Sequence, residues 1–365
     1  MSHPLAADLD EVLEATRDYW EELRGQRIFI TGATGFFGCW LLETFAWANR
    51  RLNLHAAATI LSRNPEQLWH KAPHLKLEPV EAVRGDVRNF AYPSGTFSHF
   101  IHAAAESSTD LNSRAPQLMF DTIIDGTRRC LDFAAHAHSR KFLFISSGAI
   151  YGKQPPDLSH IPEDFAGGPD PLDPASAYAE GKRSAELLCV LAARESSFEP
   201  KIARCFAFVG PYMKLDAHFA VGNFIRDYLE ERAIRVQGDG TAVRSYMYAS
   251  DLMIWLWTIL FRGERCRAYN VGSEESISIA TLAREVAGIA RDKRFTSTRP
   301  DSAGGVIPVE IARKPVPGTL PPRYVPSTAR ARKDLGLTCS VQLRDAIERT
   351  IVWNRIACTQ ELLEK

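Results

Sequence analysis

Ile28-Phe29-Ile30-Thr31-Gly32-Ala33-Thr34-Gly35-Phe36-Phe37-Gly38 is the stretch that decides the fold. An apolar, β-prone triplet runs into glycines spaced G-x-x-G-x-x-G and then into helix-forming residues 39–48, the pattern of a strand, a phosphate-cradling turn and a helix N-terminus. Gly32 permits the tight turn, Gly35 lets the backbone approach a pyrophosphate, and Gly38 lets the helix pack on the strand. The turn, with Thr34, Phe36 and Phe37 between its glycines, offers free N–H groups to phosphates at the positive end of the helix dipole. Alone, the pattern also suits an ordinary glycine-rich βα turn.

Outward from this stretch, predicted strands at 55–61, 80–83, 100–105, 141–147 and 201–209 alternate with helical segments, the longest at 116–135 and 176–194. That alternation implies a Rossmann-type α/β fold, a doubly wound parallel sheet whose ligand crevice lies at the carboxyl ends of the strands. The second strand ends in Ser62-Arg63, where an acid would hold the adenosine ribose and an arginine accommodates a 2′-phosphate; Arg63 favours NADP, with NAD as the alternative. At the next strand end the Asp86 carboxylate can accept from an adenine amino group, Val87 beside it is a further cofactor contact, and the small residues Ala103, Ala104 and Ala105 let a dinucleotide lie close to the backbone. Residues 1–25 read as a helical extension carrying Leu9, Val12, Leu13, Thr16 and Trp20 on one stripe. Residues 26–210 read as the dinucleotide-binding domain. Residues 211–365, looser and punctuated by Pro and Gly, read as mainly a smaller substrate-binding lobe, and the Pro/Gly-rich stretch 152–175 as a flap over the site.

Composition narrows the function. Zero formal net charge argues against a nucleic-acid partner. The seven cysteines form no Cys-x-x-Cys pair, so the reading is a reducing cytoplasm and no metal site. No secretory signal or membrane span is visible.

The chemistry rests on Ser147, Tyr178 and Lys182. A phenol is a poor base at neutral pH, but an ammonium one helical turn away and the positive nicotinamide ring favour the phenolate. Tyr178 and Lys182 have that spacing, and Ser147, at a strand end, can hold the substrate oxygen beside Tyr178 while hydride moves to or from the nicotinamide. Lys182 also anchors the nicotinamide ribose.

Taken together the chain resembles an extended short-chain dehydrogenase/reductase of the NAD-dependent epimerase/dehydratase group acting on nucleotide sugars. The resemblance runs from residue 26 to 340, through Thr31-Gly-Ala-Thr-Gly-Phe-Phe-Gly38, Gly85-Asp86-Val87, Ile101-His-Ala-Ala-Ala105, Ile145-Ser-Ser-Gly-Ala-Ile-Tyr-Gly152, Tyr178-x-x-x-Lys182, Arg204-x-Phe-x-x-Val-Gly-Pro211, Arg244-Ser-Tyr-Met-Tyr-Ala-Ser-Asp251 and Tyr269-Asn-Val-Gly272. It implies Tyr178 as acid/base, Lys182 as its partner and Ser147 as the ordering hydroxyl. Ser107, Ser147, Asn223, Val236 and Arg244 are then the substrate contacts, with Asn223, Val236 and Arg244 on the nucleotide diphosphate. It also implies a homodimer through the two long helices. Two positions depart from the pattern. Where dehydratase-like members carry Asp-Glu after the active-site hydroxyl this chain has Gly148-Ala149, and the Glu that decarboxylase-like members keep at the second position is missing too. Glu106, Glu163 or Asp164 would have to substitute. The expectation is an NDP-hexose epimerase working at C4. Alternatives are an NADPH-dependent 4-ketoreductase, a dehydratase, or a non-catalytic dinucleotide-binding scaffold or redox sensor. Two further family positions, usually Asn, are Ile123 and Ala207 here.

Overall fold

The computed structural model describes residues 3–104, 109–217, 219–289 and 307–363. Seven strands form the main sheet: β1 (Arg27–Thr31), β2 (Ala57–Ser62), β3 (Val80–Arg84), β4 (His99–His102), β5 (Lys141–Ser147), β6 (Glu199–Cys205) and β7 (Ala268–Val271). Their order is β7-β6-β5-β4-β1-β2-β3, and every pairing is parallel. The order reverses between β1 and β4, which places the crevice of a doubly wound sheet beside the glycine turn.

Alternation along each strand explains why both faces are covered. In β1, Ile28 and Ile30 enter one core while Phe29 enters the other; in β5, Leu143 and Ile145 face one way and Phe142 and Phe144 the opposite way. The first face is closed by helices Phe36–Leu52 and Ala249–Arg262, the second by Pro116–His136 and Ala177–Glu195. A third core, built on Val221, Phe224, Ile225, Leu282 and Ile347, belongs to the C-terminal half.

The N-terminal extension is a helix, Ala6–Thr16, that tightens into a 3-10 segment, Arg17–Leu23. Its predicted stripe is buried, and Trp20 packs on Trp257 with ring centroids 4.6 Å apart. Of the strand boundaries that moved, two ends moved furthest. The sixth strand ends at Cys205, and Phe208–Val209 pairs separately with Met247–Tyr248. The fourth stops at His102, so Ala103 and Ala104 lie beyond the ladder. The expected flap is also tied down: Ile161 is fully buried, its N–H donates to Val325 O at 2.9 Å, and its O accepts from Ser327 N–H at 2.8 Å. Among the described residues no helix is long and apolar enough to cross a membrane.

Candidate active site

The glycine turn closes against β4. At Gly32, whose φ is +76°, a Cβ would stand 2.6 Å from Ala103 C and O, and at Gly38 one would stand 2.3 Å from Ala33 Cα. At Gly35 the nearest protein atom to such a Cβ is Gly32 O at 3.4 Å, so the space in front of that residue is open. Two glycines therefore serve close backbone packing and the third leaves room for a pyrophosphate, a cradle that fits a dinucleotide. Thr31 Oγ1 accepts from Ala104 N–H at 3.1 Å and bonds His102 Nδ1 at 2.8 Å, and His102 Nε2 meets Thr127 Oγ1 at 3.1 Å. Burial brings His102 down to about 3, so this network is neutral and fixes the strand end without charge.

Just past the end of β3, Asp86 is gripped by Arg88 through two bonds of 2.9 Å, and hydrogen bonding to Arg88, with the nearby charge of Arg63, holds its carboxyl below the ordinary range. Ser62 Oγ accepts from Asn64 N–H at 3.1 Å. Val87 is buried and packs under Gly126. Phe36 and Phe37 are half-buried at the start of their helix. Ala105, Glu106 and Ser107 lie outside the described residues.

The candidate chemical centre lies where β5 ends beneath the helix Ala177–Glu195. Asn112 fixes the start of that helix, accepting from Tyr178 N–H at 3.1 Å and donating to Ala175 O at 2.8 Å. Ser147 Oγ accepts from Ala149 N–H at 3.2 Å and lies near enough to the Tyr178 phenol to favour its ionised form. Lys182 is buried, and its ammonium donates to Ile145 O at 2.7 Å and lies 4.8 Å from the centre of the Phe144 ring. Burial pushes the Tyr178 phenol up to about 12 against the lowering influence of Ser147, and burial brings Lys182 down to about 8. The lowering of the phenol expected from the sequence belongs to the state in which a nicotinamide ring lies beside it.

A second phenol was missed by sequence reasoning. Tyr324, far along the chain from Ser147 and in no recognisable motif, lies beside Ser147 and Tyr178, and burial drives its pKa well above the ordinary tyrosine value. Its ring lies 4.7 Å from that of Phe206. Phe206 in turn covers Gly148, where a Cβ would stand 2.7 Å from Cζ. The position where the dehydratase pattern has an acid is thus filled by an aromatic ring. Of the substitute acids, Glu163 is buried, accepts from Asn270 N–H at 2.9 Å and lies 3.8 Å from Arg330. Asp164 is exposed.

Several motif residues turn out to brace the centre from below. Arg204 holds Glu186 through bonds of 2.8, 3.1 and 3.2 Å and donates to the Tyr151 hydroxyl at 2.8 Å, while Tyr151 donates to Asn270 at 2.7 Å. Ser146 donates to Glu186 at 2.5 Å. Ile123 is buried against Gly181, so an apolar contact replaces the polar residue usual there and brings the two long helices together.

In the C-terminal half, Asn223 and Val236 line one cavity of about 720 Å³, together with Arg226, Arg232, Arg235 and Asp239. Arg244 stands apart from its lining. It donates to Val243 O at 2.8 Å, and its charge acts on Tyr246 and Tyr324, linking the lobe to Ser147.

A glycine cradle at the switch point of a doubly wound sheet, with Ser147, Tyr178 and Lys182 at the carboxyl end of β5, defines a dinucleotide-dependent oxidoreductase-type enzyme. A model of the NAD dependent epimerase/dehydratase family matches residues 28–272, and the chain belongs to that family, as an extended short-chain dehydrogenase/reductase. It is 28% identical to the UDP-glucuronic acid decarboxylase 6 of Arabidopsis thaliana over 88% of this chain and 86% of that protein. It is 26% identical to the UDP-glucuronic acid decarboxylase 1 of Xenopus tropicalis over 90% of this chain and 72% of that one. In fold it is similar to the dTDP-glucose 4,6-dehydratase of Streptomyces venezuelae solved with NAD, with TM-score 0.73, 22% identity and coverage of 90% and 97%. It is also similar to the UDP-glucose 4-epimerase of Thermotoga maritima solved with UDP-glucose, with TM-score 0.71, 20% identity and coverage of 91% and 99%.

Proposed function

We propose that the chain oxidises a hydroxyl of a nucleotide-bound sugar, at C4 of an NDP-hexose, and returns hydride to the other face of the keto sugar. The observation that carries this reading is the pairing of Ser147 with Tyr178 beside Gly148 and Ala149. The residues of simple hydride removal are together, and the two adjoining positions hold no carboxylate for elimination or decarboxylation. Ser147 holds the sugar oxygen. Tyr178 takes the proton of the oxidised hydroxyl and gives it back when the carbonyl is reduced, so the net reaction is a change of configuration. Lys182, anchored on Ile145, keeps a positive charge one turn from the phenol. NAD(P), held by the glycine cradle, supplies a hydride acceptor and a positive ring that favours the phenolate. The cavity at Asn223 and Val236 receives the nucleotide diphosphate.

Arg63, just past the end of β2, supports NADP as the dinucleotide. Arg63→Ala should then weaken NADP more than NAD. Exposed Leu118, Leu187 and Leu191 on the two long helices support a homodimer through that face. The deciding experiment is mass spectrometry of products from UDP-, dTDP-, GDP- and CDP-sugars. A configurational isomer formed without net change in reduced-nicotinamide absorbance supports the proposal. Stoichiometric loss of NADPH points to the reductase, and release of carbon dioxide to a decarboxylase; either overturns it. Tyr178→Phe should abolish turnover with cofactor affinity nearly unchanged.

A further inference from the structure

Away from the crevice, three side chains from separate elements converge on one point. His3 precedes the first helix, Glu43 lies in the helix Phe36–Leu52, and His74 belongs to the turn Pro73–Leu77. Their ligating atoms form a triangle. His3 Nε2 is 3.1 Å from His74 Nε2 and 3.3 Å from Glu43 Oε2, and His74 Nε2 is 3.0 Å from both carboxylate oxygens. Glu43 is only 2% exposed, and its other partner is the Tyr212 hydroxyl, which bonds Oε1 and fixes the carboxylate.

Hydrogen bonding alone does not account for this triangle. Each Nε2 carries at most one proton, so two protons serve three short edges. If both imidazoles donate to Glu43, nothing separates the two nitrogens; if one donates to the other, a ring faces the carboxylate without a proton. A cation at the centre satisfies all three edges together. Ligands about 2.0–2.1 Å from a tetrahedral zinc stand roughly 3.3 Å from one another, close to the separations seen here. Two imidazoles and a carboxylate are a zinc-type donor set, and Tyr212 supplies the outer hydrogen bond that orients a ligating carboxylate.

The site also has an opening. A cavity of about 450 Å³ is lined by His3, Trp47, Arg50, Arg51 and His74, and gives access and room for a water as fourth ligand. The two arginines on its wall are engaged elsewhere, Arg50 with Glu78 at 3.1 Å and Arg51 with Asp10 at 3.2 Å. One contact changes on binding. Leu5 N–H faces His3 Nδ1 at 3.2 Å, and ligation through Nε2 moves the ring proton to Nδ1 and gives that contact up.

We propose that His3, Glu43 and His74 bind one divalent transition-metal ion of the zinc class, which fastens the N-terminal segment to the dinucleotide-binding domain. A sequence search for ligand spacings misses it because the histidines are 71 residues apart and His74 is 31 from the glutamate. The test uses the full chain without an affinity tag, stripped with a chelator and titrated with Co²⁺ and then Zn²⁺. About one equivalent of Co²⁺ should bind with the visible d–d bands of a tetrahedral ion, and Zn²⁺ should abolish them. His3→Ala and His74→Ala, which alter partly exposed positions, should keep the wild-type circular dichroism and lose more than the 10–100-fold in affinity typical of an outer-shell change. Zinc should also slow amide exchange across the helix Ala6–Thr16 in the wild type only. Absence of stoichiometric binding, or equal binding by either variant, overturns the proposal.

Discussion

Gly148→Ala turns the aromatic wall beside Ser147 into a measurement. Gly148 has no left-handed φ, so by backbone entropy alone alanine should stabilise the fold by about 0.4–1 kcal/mol. The neighbourhood reverses the sign. The new Cβ would stand 2.7 Å from Phe206 Cζ and 2.8 Å from Cε1 and Cε2. The ring has little room to retreat, since Tyr324 lies 4.7 Å from it centroid to centroid and Gly272 sits so close that a Cβ there would be 3.1 Å from Phe206 Cβ. Overpacking of this kind costs about 1–3 kcal/mol, and at the middle of the two ranges the net loss is about 1.3 kcal/mol. Urea unfolding of Gly148→Ala, Phe206→Leu and the double variant gives the coupling. In the leucine background Gly148→Ala should cost nothing or stabilise, a coupling of about 1 kcal/mol or more. A Gly148→Ala protein as stable as the wild type, or a penalty unchanged by Phe206→Leu, would refute the claim that this ring occupies the place of a catalytic acid.

Three other perturbations probe the scaffold. At Gly38 a Cβ would meet backbone, 2.3 Å from Ala33 Cα and 2.4 Å from Gly32 O, so Gly38→Ala should cost about 3 kcal/mol or more and weaken dinucleotide binding; a wild-type melting temperature and affinity would contradict this. Burial brings Lys182 down from 10.5 to about 8, so between those values the unfolded chain holds the proton at this site more tightly and the Lys182 contribution to stability rises with pH; the difference in urea midpoint between wild type and Lys182→Met should shift in the wild type's favour across that window, and a constant difference would contradict it. Glu22, opposed by burial but held by His99 and Lys141, is lowered from 4.5 to about 2; its contribution is complete above about pH 4.5 and lost as pH falls toward 2, so Glu22→Gln should flatten the acid limb of a melting-temperature profile.

The chain's own order of residues determined the doubly wound sheet, the glycine cradle and the trio Ser147, Tyr178 and Lys182. Those features are local: a period-two apolar run, glycines at fixed offsets and a one-turn spacing on a helix survive being read along one dimension. The tertiary structure alone decided what closes on them. Tyr324 reaches Ser147, Phe206 fills the space above Gly148, and His3, Glu43 and His74 meet, through chain crossings that bring distant segments together. Likewise the ionisation of Tyr178 and Lys182 follows from burial, and the lysine's direction from a carbonyl one strand away. Spacing along the sequence fixes which groups share a face; only packing fixes how much water they lose and which partner each one finds.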